Sequence, residues 1–365
     1  MEKAPNELFD GFGGKKVHTA VMAVRSGDGS FSWSRARGVR EDGDKVMAGD
    51  PYFIASVTKT FAAVVTLLLE EQEALSLRAP IGEYLPDELL EGLHLRKGED
   101  LTGTITVEHL LSNTSGLPNF YEDKGEHGVS LQQRLFRGEE AQFDVQDVVR
   151  VVREEMKPKF APLSLSADGK RGEYSDTNFQ LLGEILERVT GKGLGDVLRE
   201  QLIEPLGLGQ TYLYGRGEAA DGESKEPLGI FHKDRPMKLR GVMRCFGADG
   251  ALVSTTTDQL RFMQALMAEE IFAKGKTLER MQGRWNKIWF PLEYGLGLMR
   301  VKRSRLVSPL SPPPTIVGHS GSSGSWLYYC RDLDLYLVGT VNQTARRGLP
   351  FRLLFRALQV LEKGL

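Results

Sequence analysis

The sequence predicts a mixed α/β (α+β) fold, an antiparallel sheet flanked by helices with a mainly helical lobe inserted into it. Three observations predict it. Short β-rich segments bounded by turn residues lie near both ends of the chain. The middle of the chain instead repeats apolar residues at i, i+3 and i+4. A Gly/Asp-rich turn joins the first two candidate strands into a hairpin. One sheet built from both termini is the economical arrangement. It divides the chain into a sheet lobe, residues 1–82 with 246–365, and a helical lobe, residues 83–245. A cleft is expected where the lobes meet.

Each element has its own signal. Val17–Arg25 and Phe31–Val39 read as strands across the turn Ser26-Gly-Asp-Gly-Ser30. Thr60–Glu73 is apolar and helical in character. Pro80 and Pro86 then break the pattern over Leu77–Leu90. Thr106–Leu111, Asp144–Met156, Thr177–Thr190 and Leu194–Ile203 carry helical spacing. Gly215–Pro227 is a polar loop. Thr256-Thr-Asp-Gln259 reads as a capping box opening a helix over Asp258–Met267. Ser308–Pro314 reads as a Pro-rich surface connection. Ile316–His319, Ser325–Cys330 and Leu335–Val341 read as strands, with turns at Gly321–Gly324 and Asp332–Asp334. Leu349–Glu362 is the last helix. Helices near Thr60 and Leu353 are expected to flank the sheet.

Composition excludes several function classes. The 365 residues are 41% hydrophobic and 26% charged, enough for a sizeable core. A net charge of -2 argues against nucleic acid or an anionic membrane as partner. The 2 cysteines, Cys245 and Cys330, form no Cys-x-x-Cys motif. Both read as small core residues, not as a disulfide scaffold or a zinc site. No apolar run is long enough to span a bilayer, and the N-terminus lacks a signal-like apolar region. As written the chain reads as cytoplasmic; a chain already trimmed of its signal would read the same.

Ser56-Val57-Thr58-Lys59 is the segment that points to chemistry. Ser and Lys three apart on a helix face the same way, with Cβ atoms roughly 5–6 Å apart. Serine is a weak nucleophile and needs such a neighbour to take its proton. A helix start also favours developing negative charge. The pattern occurs once in the chain, but by itself it fits a helix cap and a surface lysine equally well. Two later segments change that balance. Tyr174-Ser175-Asp176 precedes a helix, and a tyrosine near a lysine can carry protons between nucleophile and leaving group. Gly318-His319-Ser320-Gly321-Ser322-Ser323-Gly324 lies between two strands, where small residues admit an extended substrate.

Together these segments resemble the penicillin-recognising serine hydrolases, a family with the β-lactamase/transpeptidase-like fold. It includes class C β-lactamases, D-Ala-D-Ala carboxypeptidases, D-aminopeptidases and family VIII carboxylesterases. The family order is Ser-x-x-Lys, Tyr-x-Asn, then Lys-x-Gly or His-x-Gly. Ser56–Lys59, Tyr174–Asp176 and His319–Gly321 match it, supported by Leu110–Pro118, Tyr294–Leu298 and Gly247–Ser254. The resemblance runs from about Val17 to the C-terminal helix.

It implies Ser56 as the acylated nucleophile, with Lys59 and Tyr174 sharing its proton. Which of the two is the base is disputed for such sites. Backbone N–H groups of Ser56 and Ser322 would form the oxyanion hole. His319 would flank the leaving group or bond to Tyr174, with Ser320 and Gly321 beside the substrate. No cofactor or metal is implied. The favoured activity is a carboxylesterase-like hydrolase acting on a small ester, amide or β-lactam. Alternatives are a D-Ala-D-Ala carboxypeptidase, D-aminopeptidase or class C-like β-lactamase, an acyltransferase, or a penicillin-binding sensor that does not turn over.

One residue departs from the pattern. Asp176 stands where the family has Asn, and an ionised Asp only accepts hydrogen bonds. It would hold Lys59 in its charged form, shift work to Tyr174 and remove a donor to a substrate amide. Simple esters, or substrates with a nearby cation, are therefore expected to fit better than acylamino β-lactams. The stretch Ala161–Gly172 also looks longer than in the family. Other hydrolase classes fit less well. There is no Gly-x-Ser-x-Gly, no Ser-Asp-Asn between the first and third segments, and no His-Glu-x-x-His among the 6 histidines. His109, beside Leu110 and Leu111, reads as a core or interface residue.

Overall fold

The computed structural model describes residues 3–363 except 13, 127, 166–170, 221, 223–224 and 303–313. Most of the Ser308–Pro314 connection, and parts of the Ala161–Gly172 and Gly215–Pro227 stretches, lie outside the described residues.

Eight strands form the main sheet: β1 Ala20–Ser26, β2 Ser32–Arg37, β3 Asn286–Trp289, β4 Leu292–Tyr294, β5 Met299–Val301, β6 Ile316–Ser320, β7 Ser325–Cys330 and β8 Leu335–Thr340. Their order is β3-β4-β5-β6-β7-β8-β1-β2, antiparallel throughout. Thus β8 pairs with β1, Leu337 opposite Val24, and the two ends of the chain meet in one sheet as expected. Strands β3–β5 were not read from the sequence. They are three or four residues long and contain or adjoin Pro291, Gly295 and Gly297, so the two-residue period never builds up.

Side-chain alternation gives the sheet two apolar faces. Met22, Val24, Tyr328, Leu335 and Leu337 share one core with Phe9 of the helix Lys3–Gly11 and Leu353, Leu354 and Leu358 of the helix Leu349–Glu362. Val21, Ala23, Leu327, Tyr336 and Val338 face the larger core. The helix packed on that second face is Thr256–Met267, not the one near Thr60. The helix Thr58–Glu71 lies one layer further in. Its Phe61 stacks on Phe262 at 3.8 Å, and it packs against the helices Asp176–Thr190 and Leu194–Leu198. That depth explains its composition, since residues 58–67 are all buried.

Two local expectations are corrected. The cap of the Thr256–Met267 helix is Thr255, whose hydroxyl accepts from Asp258 N at 3.2 Å, one residue earlier than read. Gln259 turns inward to donate to the Tyr52 hydroxyl at 2.9 Å. Cys245 is only half-buried, whereas Cys330 is fully buried. His109 is buried, as read, and closes a reciprocal cap with Thr106.

A second sheet of three strands, Tyr52–Phe53, Leu252–Ser254 and Tyr212–Leu213, leads the chain into the Ser56 segment. The opposite side of the Thr58–Glu71 helix is pinned at Gly297, whose carbonyl accepts from Thr60 Oγ1 at 2.9 Å. Gly297 has φ +69°, and a Cβ there would meet Ala63 Cβ at 2.1 Å. Replacing it with Ala combines a left-handed backbone with overpacking. We expect Gly297→Ala to cost at least about 2 kcal/mol. Thermal unfolding of the variant should show a Tm several degrees lower.

Candidate active site

The Ser56 segment is held from both sides. Ile54 N donates to Leu252 O at 3.0 Å, and the Ile54 carbonyl accepts from Ser325 Oγ at 2.7 Å. Ser323 Oγ donates to Phe53 O at 3.2 Å. Ala55 then adopts φ +47°, a strained value for a residue with a Cβ. Ser56 follows inside a short 3-10 turn, Ala55–Val57, immediately before the Thr58–Glu71 helix. Gly321 lies against this turn. A Cβ on it would meet Ser325 Oγ at 2.3 Å and Ile54 O at 2.7 Å, so only glycine lets the end of β6 approach the serine.

Lys59 is fully buried. Its Nζ donates to Ser56 Oγ at 3.3 Å, to Asp176 Oδ1 at 2.5 Å and to the Asp249 carbonyl at 2.5 Å. Three acceptors use the full donor capacity of an ammonium. Asp176 takes its second bond from Asn119 Nδ2 on Oδ2 at 3.0 Å. The expected Ser56–Lys59 and Lys59–Asp176 contacts are therefore both present. Since Lys59 donates to Ser56, the serine proton is free to point elsewhere.

Tyr174 does not hydrogen-bond to Lys59. The lysine Nζ sits 5.2 Å from its ring centroid, and the buried phenol oxygen has no hydrogen-bond partner among the described residues. Burial first, then the Asp176 charge, hold this phenol well above its usual pKa, while the Ser56 hydroxyl acts the other way. Tyr174 thus keeps its proton at neutral pH.

His319 corrects a sequence expectation. It is 1% exposed and bonds to Tyr294, not to Tyr174. Its Nδ1 meets the Ser320 carbonyl at 2.9 Å, so Nδ1 carries the hydrogen and Nε2 accepts from the Tyr294 hydroxyl at 3.0 Å. Burial first, then the Lys59 charge, lower its pKa to about 3, so the imidazole stays neutral. The ring braces Tyr294, whose ring lies edge-on to Tyr174 at 5.8 Å. Ser320, Gly321 and Ser322, in contrast, line the cavity at Ser56. The Ser322 N–H makes no hydrogen bond among the described residues.

Asp249 was missed. It is 2% exposed, with Oδ1 accepting from Gly247 N at 2.8 Å and Gln180 Nε2 at 2.9 Å. Its Oδ2 has no partner among the described residues. A charge isolated within Gly247-Ala-Asp-Gly-Ala-Leu-Val253 was the available signal, because such a run is otherwise buried. Asn119 carried a similar signal, a single amide between Leu117-Pro118 and Phe120-Tyr121.

Fold and site together define a β-lactamase-like protein with a Ser-x-x-Lys centre. The chain belongs to the Beta-lactamase family, whose model matches residues 6–361. It is 27% identical over 263 residues to Unguisins hydrolase ungD' of Aspergillus campestris, covering 68% of this chain and 44% of that one. It is 29% identical over 191 residues to Esterase EstB of Burkholderia gladioli, covering 52% and 45%. The chain thus spans about half the length of these curated relatives. Among solved structures, a D-stereospecific amidohydrolase from Streptomyces sp. superposes with a TM-score of 0.69 at 25% identity, covering 94% of each chain. No helix among the described residues is long and apolar enough to cross a membrane.

The buried Asp249 carboxyl has a pH signature. Burial first, and then Asp176, raise it from 3.8 to about 6 against the opposing charge of Lys59. The folded chain then holds this proton more tightly than the unfolded chain. Asp249 therefore costs stability as pH rises from about 4 through about 6. In Asp249→Asn that cost is absent. The Tm difference, variant minus native, should grow across this interval and level off above it.

Proposed function

We propose that this protein is a serine hydrolase that forms a covalent acyl-enzyme on Ser56 and acts on small esters and amides, in the manner of a carboxylesterase. One observation carries the reading: Ser56 Oγ opens onto a cleft while a fully buried Lys59 Nζ stands behind it at 3.3 Å. Ser56 attacks the carbonyl carbon while the Tyr174 oxygen takes its proton and gives up its own. Tyr174, still protonated at neutral pH, donates to the leaving oxygen or nitrogen. The N–H groups of Ser56 and Ser322 receive the carbonyl oxygen. Water then releases the acid.

In this reading the cleft separates a sheet lobe, residues 1–82 with 246–365, from a helical lobe, residues 83–245. Asp176 bears on substrate choice. Both its oxygens are occupied, by Lys59 and Asn119, and neither offers a hydrogen to a substrate amide. That favours esters and simple amides over acylamino β-lactams. The names of the relatives, an esterase and an amidohydrolase, support the same range. The same acyl-enzyme could also pass its acyl group to an alcohol or amine.

The test follows p-nitrophenyl butyrate and a chromogenic cephalosporin by product release and by intact mass. The native protein should turn over the ester, and Ser56→Ala should lose at least about 10³-fold in kcat. Activity surviving in Ser56→Ala would remove the nucleophile. Tyr174→Phe should lower kcat by roughly 10²–10⁴-fold with little change in KM. Asp176→Asn should raise cephalosporin turnover itself, with ester turnover staying within a few-fold of the native value. A variant that loses ester turnover while cephalosporin turnover stays unchanged would refute the role given to Asp176.

A further inference from the structure

Ser56 stands at the junction of two adjoining cavities of about 530 and 730 Å³, both bordered by Ser56, Tyr121, Asp176 and Ser322. Of the two, Tyr174 lines only the larger. In the reaction read above Tyr174 supplies the proton to the departing atom, so the larger cavity takes the leaving group. Trp289, Met299, Pro350 and Phe351 give that cavity an apolar side. Its charged residues are Glu122, Asp176 and Arg347, and each already has partners. Arg347 donates to Glu122 at 2.9 Å and to Gln132 at 2.6 Å, while Asp176 accepts from Lys59 and Asn119. A charged leaving group therefore meets no free counter-charge there.

Trp289 is the unusual residue of this wall. It is 57% exposed, and of the large apolar residues left exposed, Val39, Met47, Leu95, Trp289 and Phe290, it alone borders a cavity at Ser56. The backbone specifies its place. Strand β3 alternates, with Asn286 and Ile288 buried and Lys287 and Trp289 exposed. Gly172 N donates to Lys287 O at 2.9 Å, and Arg171 pairs with Lys287 in a parallel bridge. Two residues beyond Gly172 and Lys287 stand Tyr174 and Trp289, so the segments carrying the phenol and the indole run side by side. On its other edge β3 slips by one residue against β4 between Lys287 and Trp289, a shift of the kind that re-aims side chains.

We propose that the larger cavity is a subsite for a neutral aromatic leaving group seated against Trp289. This rests on the acyl-enzyme reading above and names the alcohol half of its substrate: esters of uncharged aromatic alcohols. A ring held edge-on or offset against the indole covers apolar surface that otherwise faces water, and Met299, Pro350 and Phe351 enclose it. The acylation step is balanced. The Ser56 Oγ–C bond forms as the C–O bond to the alcohol breaks, and the departing oxygen takes the Tyr174 proton while Tyr174 takes that of the serine. Water then adds to the acyl-enzyme, returns a proton to Ser56 and frees the acid.

The experiment keeps butyrate as the acyl group and varies the alcohol at pH 7: ethyl, benzyl, cyclohexylmethyl and 4-carboxybenzyl butyrate, with p-nitrophenyl butyrate and Ser56→Ala as controls for the hydrolase itself. Benzyl butyrate should exceed ethyl butyrate in kcat/KM by about tenfold or more, equivalent to about 1.4 kcal/mol. The cyclohexylmethyl and carboxybenzyl esters should both fall below the benzyl ester. In Trp289→Ala the benzyl-to-ethyl ratio should drop towards one, whatever happens to the absolute rates. In Phe290→Ala, which removes the neighbouring exposed ring that lines neither cavity, the ratio should stay at its native value. If p-nitrophenyl butyrate is hydrolysed through Ser56 but benzyl and ethyl esters are used equally, the subsite is overturned and the hydrolase reading stands. A ratio that survives Trp289→Ala, or falls as far in Phe290→Ala, overturns the role of Trp289. Equal use of the benzyl and cyclohexylmethyl esters overturns the aromatic preference. No turnover of any ester and no adduct on Ser56 sinks both readings.

Discussion

A lysine with no exposure to solvent is the constraint around which this molecule is organised. Lys59 can be buried only because Asp176 and the Asp249 carbonyl both lie 2.5 Å from its Nζ. A buried amine without such partners would cost several kcal/mol. Each partner comes from a different part of the chain, one opening the Asp176–Thr190 helix and the other in the turn before the strand Leu252–Ser254. Burying the cation therefore requires these elements to be docked. The geometry that stabilises the core also presents the serine.

The same arrangement settles how the polar groups divide their work. Lys59 spends its hydrogen bonds on fixed acceptors, and one of those acceptors is Ser56 itself. Tyr174 remains a protonated phenol beside it. His319, buried and neutral, braces Tyr294 from behind. The local charge is not balanced, because Asp249 adds a second carboxyl to the one that pairs Lys59. Low local dielectric makes that imbalance consequential.

Much was legible beforehand. The strands β1, β2, β6, β7 and β8 showed their two-residue period, and the long helices showed theirs. Ser56, Lys59 and Tyr174 were readable because three short motifs occur in a fixed order along the chain. Strands β3–β5 were not readable, since glycine and proline interrupt segments too short to show alternation. The inner position of the Thr58–Glu71 helix was hidden too. An apolar helix reads the same whether it covers a sheet or other helices.

The sequence by itself determined the chemistry available: a serine and a lysine one helical turn apart, and a tyrosine with an aspartate two residues after it. It also determined that both ends of the chain would build one sheet, because strand periodicity is local. Only the tertiary structure decided which groups meet. It turned His319 inward to Tyr294, put Asn119 on Asp176, and brought Asp249 to Lys59 across 190 residues of chain. The physical reason is that local pattern fixes which face of an element is apolar. Partners distant in sequence are chosen by burial, where each polar atom must find whatever donor or acceptor the packing leaves within reach.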